Sequence, residues 1–140
     1  IKAGDPRAMA LQGFGPAKVR VEHLTLTSEP HSTELPSVHV GDQLSFSFDL
    51  VSEADTPQKL VINHHIHYVK ANGQRRPKVF KLKTLTLAPG QRLTLHKRQH
   101  FKPISTRTYH PGTHALDLQI NGQTHGWAEF TLLLAQSRGD

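Results

Sequence analysis

The sequence has no cysteine among its 140 residues. A disulfide framework, a thiolate nucleophile and a thiolate zinc site are therefore excluded, and the cytoplasm is the expected compartment. No apolar run approaches the roughly 20 residues that a membrane-spanning helix needs, so we expect no membrane contact. The chain starts at Ile1, and no basic segment followed by an apolar run resembles a signal peptide. We expect it to be a piece of a longer protein.

Acidic residues are scarce in the middle of the chain. Seventeen Lys and Arg face eleven Asp and Glu, for a net charge of +6. Between Thr56 and Leu116 there are twelve basic residues and no acid, while the rest of the chain holds five basic residues and all eleven acids. Because a block of like charge repels itself, this distribution favours a polyanionic partner that supplies the opposite charge.

Apolar residues alternate with polar ones from Ala17 onward, and turn residues interrupt the alternation at intervals of about 8 to 12 residues, as in short antiparallel strands. The pattern predicts seven strands, at residues 18–26, 43–51, 58–70, 78–87, 92–101, 113–120 and 124–134. Seven such strands without intervening helices predict an all-β, immunoglobulin-like antiparallel β-sandwich. An all-β barrel is the alternative.

Three local signals refine this prediction. The alternation slips near Thr84, which indicates a β-bulge. Asn121 and Gly122 are typical of a two-residue hairpin turn. Tyr109, just before the sixth strand, stands where such sandwiches often keep a tyrosine that hydrogen-bonds back to the main chain.

The first residues follow a different pattern. Asp5 and Pro6 suit a helix start and Gly13 suits a helix end, which predicts a short helix of about two turns. A helix this short needs a partner to pack on. We therefore predict that residues 1–16 are the end of a preceding helical repeat domain and a hinge, and that residues 17–136 form the sandwich.

The basic residues of the middle stretch are candidate phosphate contacts, because Arg forks and Lys point charges bind phosphate oxygens without reading base sequence. If the third and fourth strands pair as a hairpin, one outer face carries lysines beside histidines, and the turn between them adds arginines. The candidate DNA-binding residues are Lys70, Arg75, Arg76, Lys78, Lys81, Lys83, Lys97 and Arg98, with His65 and His67 as secondary contacts.

Eleven histidines also raise a metal hypothesis. His65 and His67 share one face of a strand, but His96 and His100 are the candidates for further ligands, and two lysines nearby disfavour a divalent cation. We predict no metal and no cofactor. The acids do not suggest a converging catalytic pair, and no nucleophile elbow or phosphate-binding glycine loop is present, so we predict no catalysis within this chain. Trp127 is predicted to face outward, where it could stack on a base or pack against another domain.

Several segments together resemble a known family. They are residues 5–15, 40–46, 67–73, 77–81, 109–112 and 119–122. This set is similar to the C-terminal part of bacterial DNA alkylation repair proteins of the AlkC type, and residues 67–87 are its most specific part. The resemblance covers nearly the whole chain.

The resemblance implies that the parent protein is a DNA glycosylase that excises alkylated bases such as 3-methyladenine in base excision repair. It implies that HEAT-like helical repeats of the same chain hold the catalytic acids, so no catalytic residue of the family is carried over to this chain. The added immunoglobulin-like domain is then expected to grip duplex DNA near the lesion as a non-catalytic accessory. The alternative is a protein-interaction or general polyanion-binding sandwich without a nucleic-acid function.

Overall fold

The computed structural model describes residues 16–27, 36–103 and 108–134. They form eight strands: β1 Val19–Thr27, β2 Ser37–His39, β3 Gln43–Ser52, β4 Gln58–Val69, β5 Arg75–Leu87, β6 Arg92–His100, β7 Gly112–Ile120 and β8 Gln123–Leu133. The seven predicted strands are present, and β2 is an additional strand too short to show an alternation. No helix in the described ranges is long and apolar enough to cross a membrane. The predicted N-terminal helix lies outside the described residues.

The strands form two sheets, as the alternation predicts. One sheet has three strands in the order β1-β3-β6, and the other has five in the order β2-β8-β7-β4-β5. Neighbours are antiparallel except β2 and β8, which are parallel. Alternate residues of each strand fill the space between the sheets; on β3 these are Leu44, Phe46, Phe48 and Leu50, each at most 2% exposed. The fold is therefore an immunoglobulin-like sandwich.

Two contacts show how the sheets lie over each other. The His64 Nε2–H on β4 donates to the side-chain carbonyl of Gln99 on β6, at 2.7 Å. At the other side, a Cβ placed on Gly126 of β8 would lie 3.1 Å from the Leu24 side chain of β1. The edge strands β5 and β6 consequently lie on the same side of the sandwich. Both come from the basic stretch, so this side concentrates positive charge.

A β-bulge interrupts the pairing of β4 with β5. Ile62 pairs with Lys83 and Asn63 with Lys81, which leaves Leu82 as the extra residue on β5. The bulge predicted near Thr84 is thus confirmed, two residues earlier. The same register shows that Lys81 and Lys83 do not share one face, because Lys81 aligns with an outer-face residue and Lys83 with a core residue. Nearer its start, β5 carries Pro77 opposite His67.

The predicted tyrosine contact is also present. The Tyr109 hydroxyl donates to the main-chain carbonyl of Lys102 at 2.8 Å, seven residues earlier. The Tyr109 ring lies 6.1 Å from the ring of Phe101 and 6.3 Å from that of Tyr68. The Phe101 contact is edge-on and the Tyr68 contact is tilted. Aromatic packing of this kind stabilises the end of the sandwich from which the β4–β5 turn projects.

The hairpin turn between β7 and β8 does more than reverse the chain. Asn121 and Gly122 have φ angles of +48° and +85°, as a type I′ turn requires. The Asn121 side chain also reaches β4: its Oδ1 accepts from the Val61 amide at 2.8 Å and its Nδ2 donates to the Lys59 carbonyl at 3.0 Å. One asparagine therefore fixes the hairpin and ties it to the neighbouring strand.

Replacing Asn121 tests these two roles separately. Asn121→Gly keeps the positive φ accessible but leaves two main-chain groups of β4 without partners, so the free energy of unfolding should fall by about 1–3 kcal/mol. Asn121→Ala adds left-handed strain and should lower it by about 1 kcal/mol more. Urea denaturation of both variants measures the difference. Equal decreases would show that the backbone angle contributes nothing.

Candidate nucleic-acid interface

The turn that joins β4 to β5 is closed by its own main chain. The Lys70 amide donates to the Gln74 carbonyl at 2.7 Å, and the Gly73 amide donates to the Lys70 carbonyl at 2.9 Å. The Asn72 side chain accepts from the Gln74 amide at 3.0 Å, which mimics a further main-chain contact. The turn therefore holds the start of β5 in a fixed place.

A cavity of about 410 Å³ lies beside this turn. We call it the turn cavity; its lining includes Tyr68, Lys70, Arg76, Lys78, Thr108 and His110. Within the described residues, none of its three cations has a carboxylate within 4.0 Å. The Lys78 ammonium instead lies 5.6 Å from the centre of the Phe80 ring. Three positive charges thus line one cavity, and no carboxylate of the described residues pairs with any of them.

Arg75 lies on the opposite face of β5 and is already engaged. Its guanidinium donates to Glu129 of β8 at 3.0 Å and lies 5.4 Å from the centre of the Trp127 indole. Trp127 is 50% exposed, which agrees with the predicted outward orientation. The adjacent residues Arg75 and Arg76, equivalent by sequence pattern, therefore differ: one is ion-paired and the other lines the turn cavity.

His65 and His67 share a carboxylate that no local sequence pattern connects with them. The His65 Nδ1–H donates to Asp117 at 2.6 Å, and the His67 Nε2–H donates to the other oxygen of Asp117 at 2.9 Å. The side chains of the two histidines are only 13% and 18% exposed. The alternation over residues 113–120 places Asp117 on the outer face of its strand. The order of the strands, which no local pattern gives, places it beside β4.

Two other carboxylates that are distant in sequence, Glu22 and Asp49, also lie together. Together with His23 they could bind one metal ion, because their ligand atoms lie within 4.8 Å of one another. The described ranges contain no other group of three such residues. Arg92 bridges both carboxylates, at 2.8 and 3.1 Å. The hydrogen bond from Arg20 lowers the pKa of Glu22, and those from Thr94 and His23 lower the pKa of Asp49. Both acids therefore stay ionised, which suits ion pairing rather than proton donation.

The remaining candidate residues occupy three different settings. Lys81 lies on the outer face of β5 and Lys83 follows the bulge, both exposed. Lys97 lies on β6 on the same side as Gln99, and its charge, after burial, contributes to lowering the pKa of the buried His64. Arg98 lies on the outer face of the three-stranded sheet, opposite Ser45. The ten predicted residues are thus spread over several surfaces: Lys70, Arg76 and Lys78 line the turn cavity, and Lys97 and Arg98 line a second depression.

Sequence reasoning missed Thr108 and His110 as lining residues of the turn cavity. The neighbouring Tyr109 predicts only its own contact with the main chain, and no local pattern connects Thr108 and His110 with the β4–β5 turn. Because Tyr109 bonds back to Lys102, its two neighbours are brought toward the β4–β5 turn. Only the strand order reveals that proximity.

Comparison with known proteins identifies the family of this chain. Residues 27–134 match the family described as uncharacterised protein YhaZ, C-terminal Ig-like domain. YhaZ of Bacillus subtilis (strain 168) is 35% identical over 130 residues, which cover 93% of this chain and 34% of YhaZ.

Solved structures give a concordant result. The alkylpurine DNA glycosylase AlkC of Pseudomonas fluorescens, bound to DNA containing an abasic site analogue, is 38% identical with a TM-score of 0.83, over 92% of this chain and 34% of that chain. The resemblance to the C-terminal part of AlkC-type proteins is therefore confirmed. A β-glucosidase from Listeria innocua, 17% identical with a TM-score of 0.61 over 88% of this chain and 17% of that chain, shows likeness of fold alone. The chain spans about a third of the length of YhaZ and AlkC.

Proposed function

Because the chain belongs to the family of YhaZ C-terminal Ig-like domains, and because AlkC shares its fold at 38% identity, we propose that it is a non-catalytic, DNA-binding accessory domain of a DNA repair glycosylase. In this proposal the parent protein excises alkylated bases such as 3-methyladenine. The excision itself belongs to the part of the protein outside the third that this chain spans, which we propose contains HEAT-like repeats. The domain's contribution is to hold duplex DNA near the lesion.

The turn cavity is the observation that carries this proposal. Lys70, Arg76 and Lys78 converge there without a carboxylate within 4.0 Å among the residues described. A phosphate group would supply the missing negative charge, and an Arg fork can bind two of its oxygens at once. Thr108 and His110 add polar groups at the rim. Contacts of this type position a protein on the backbone of DNA and carry no base specificity.

The other candidates rank below the turn cavity. Lys81, Lys83, Lys97 and Arg98 are exposed and have no carboxylate within 4.0 Å in the described part of the chain, so we propose them as additional backbone contacts. Arg75, His65 and His67 remain predicted contacts. For DNA to bind them, it would have to compete with Glu129 and Asp117 for their donors.

Reversing two charges of the turn cavity is the direct test. The double variant Arg76→Glu with Lys78→Glu should bind a duplex containing an abasic-site analogue at least about tenfold more weakly at low salt. The slope of log Kobs against log salt should become shallower by about 0.9 for each phosphate that the variant no longer neutralises. Fluorescence anisotropy of a labelled duplex, titrated over a range of salt concentrations, measures both quantities.

A matched control separates the site from the net charge. Lys18→Glu with Lys59→Glu changes the net charge equally, but Lys59 lies at the far end of β4, about 35–40 Å from Lys70. At moderate salt this distance exceeds several Debye lengths, so the control should bind nearly as the unchanged chain does. Equally weakened binding in both double variants, absence of binding even at low salt, or equally tight binding to polyglutamate would overturn the proposal.

A further inference from the structure

The outer face of the three-stranded sheet divides into two halves with different chemistry. In the first half, Arg20 and Arg92 are ion-paired with Glu22, Asp49 and Glu53. In the second half, strand pairing aligns Thr25 with Ser47 and His96, and Thr27 with Ser45 and Arg98. The arginine of this second half has no carboxylate within 4.0 Å among the described residues.

Two overlapping depressions cover this second half. Both are lined by Thr27, Ser45, Arg98 and His100; Thr25, Ser47 and His96 extend one of them. We call these seven residues the hydroxyl groove. Its floor consists of short hydroxyl side chains, and its wall is formed by the longer side chains of β6. Asp42, an exposed residue, borders one end.

We propose that the hydroxyl groove is a second phosphate-binding surface, separate from the turn cavity. Its parts match the chemistry of a phosphate ester: the hydroxyls of Thr27, Ser45 and Ser47 can each donate one hydrogen bond, and Arg98 offers a charged fork. The Thr25 hydroxyl already donates to the His23 carbonyl at 3.1 Å and can only accept. Successive outer-face residues of β6 are about 6.6 Å apart, comparable with the distance between neighbouring phosphates of one nucleic-acid strand. The groove can therefore contact more than one phosphate along β6.

The location of the groove connects it with the proposed DNA contact. His100 is followed by Phe101, whose ring lies 6.3 Å from that of Tyr68, a lining residue of the turn cavity. The groove and the cavity therefore lie at the same end of the sandwich, and the edge strands β6 and β5 contribute lining residues to the groove and to the cavity, respectively. The identification of the phosphate source as a nucleic-acid strand rests on the proposed function, whereas phosphate binding by the groove does not.

Backbone-amide NMR titration distinguishes the possible phosphate sources. Inorganic phosphate and hexathymidylate are added separately to the 140-residue chain, and the shifts of Ser45, Ser47 and Arg98 are followed. Both probes should shift these amides, and hexathymidylate should bind at least about tenfold more tightly if several phosphates are bound. Shifts with phosphate alone would support a site for small phosphate esters and would overturn the assignment to a nucleic-acid strand.

Variants then test the groove itself. Arg98→Gln should weaken hexathymidylate binding about tenfold or more, and Ser45→Ala with Ser47→Ala should weaken it several-fold at unchanged charge. Lys59→Gln removes the same charge as Arg98→Gln at a distant place and should leave the shifts unchanged. An equal effect of Lys59→Gln, or normal binding by Arg98→Gln, would overturn the proposal.

The two proposals fail in different ways. Arg76→Glu should weaken duplex binding through the turn cavity and leave the phosphate-induced shifts of the groove intact. If the groove variants bind hexathymidylate normally while Arg76→Glu still weakens duplex binding, the groove proposal fails and the proposed function stands. If groove shifts persist but duplex binding does not occur, the proposed function fails and the groove stands.

Discussion

Replacing Phe130 by alanine is expected to lower the free energy of unfolding by about 3–5 kcal/mol. Phe130 is fully buried on β8, and its ring lies 5.7 Å from that of Phe101 and 5.6 Å from that of His114. Strand β8 is flanked by β7 and β2 within the five-stranded sheet, so its neighbours cannot collapse easily into the space left by the ring. Typical domains have only about 5–15 kcal/mol of stability, and the decrease would therefore be a large share of the total.

Urea denaturation followed by circular dichroism measures this decrease. Phe80→Ala is the matched control, because it removes the same ring from the half-buried position on the edge strand β5. It should be clearly less destabilising, since solvent already reaches that site. Similar decreases at both positions would show that the rim of the sandwich is packed as tightly as its centre.

Stability should also decline as the pH falls below about 6.5, the ordinary pKa of histidine. Burial lowers the pKa of His64, and the nearby Lys97 contributes to the shift. Burial likewise lowers the pKa values of His114 and His125. Just below about pH 6.5, these histidines therefore bind more protons in the unfolded chain than in the folded chain. The stability that these neutral histidines contribute is fully present above about pH 6.5. Below that pH it declines by up to about 1.4 kcal/mol per pH unit for each fully buried histidine, until the pH falls past the folded pKa.

The hydrogen bonds of these histidines support the same direction. In the described part of the chain, His64 has no partner for its Nδ1, so a second proton there would be buried without an acceptor. The His114 Nδ1–H donates to the Gly112 carbonyl at 3.1 Å, and its Nε2 accepts from the Val69 amide at 3.4 Å, an arrangement that suits the neutral ring. Protonation of His114 would abolish the acceptor.

Denaturation at several pH values between about 8 and 5 checks this expectation. His64→Gln should be less stable at the alkaline end but should show a shallower decline below about pH 6.5. Phe46→Leu, which changes a ring 5.0 Å from His64 without removing a titrating group, should be less stable and keep the full decline. If His64→Gln retains the same pH dependence as the unchanged chain, His64 is not the source.

Most of the fold could be predicted from the sequence because each signal is local. The alternation defines strand bounds, Asn121 and Gly122 define a turn, and Tyr109 defines a corner. Strand β2 could not be predicted, since three residues carry no periodicity and its parallel pairing with β8 depends on the assembled sheet. The two roles of Asn121 show the same division, because its turn is local and its bonds to β4 are not.

The candidate site was less predictable, since it depends on strand order. The basic stretch lacks acids, but Glu129 and Asp117 come from other strands to engage Arg75 and the histidines. Conversely, nothing in the local sequence distinguishes Arg76 from Arg75. Alternation gives the face of each residue, whereas the residue that lies across from it is decided by long-range pairing.

The edge strand β5 also affects the self-association of the protein. A long exposed edge invites another chain to add a strand through main-chain hydrogen bonds. At this edge, Pro77 offers no amide, the extra residue Leu82 breaks the register, and the ammonium groups of Lys81 and Lys83 repel a like edge. The lysines proposed to contact DNA thus also oppose self-association, so variants that neutralise them should be assayed for oligomers before their DNA binding is compared.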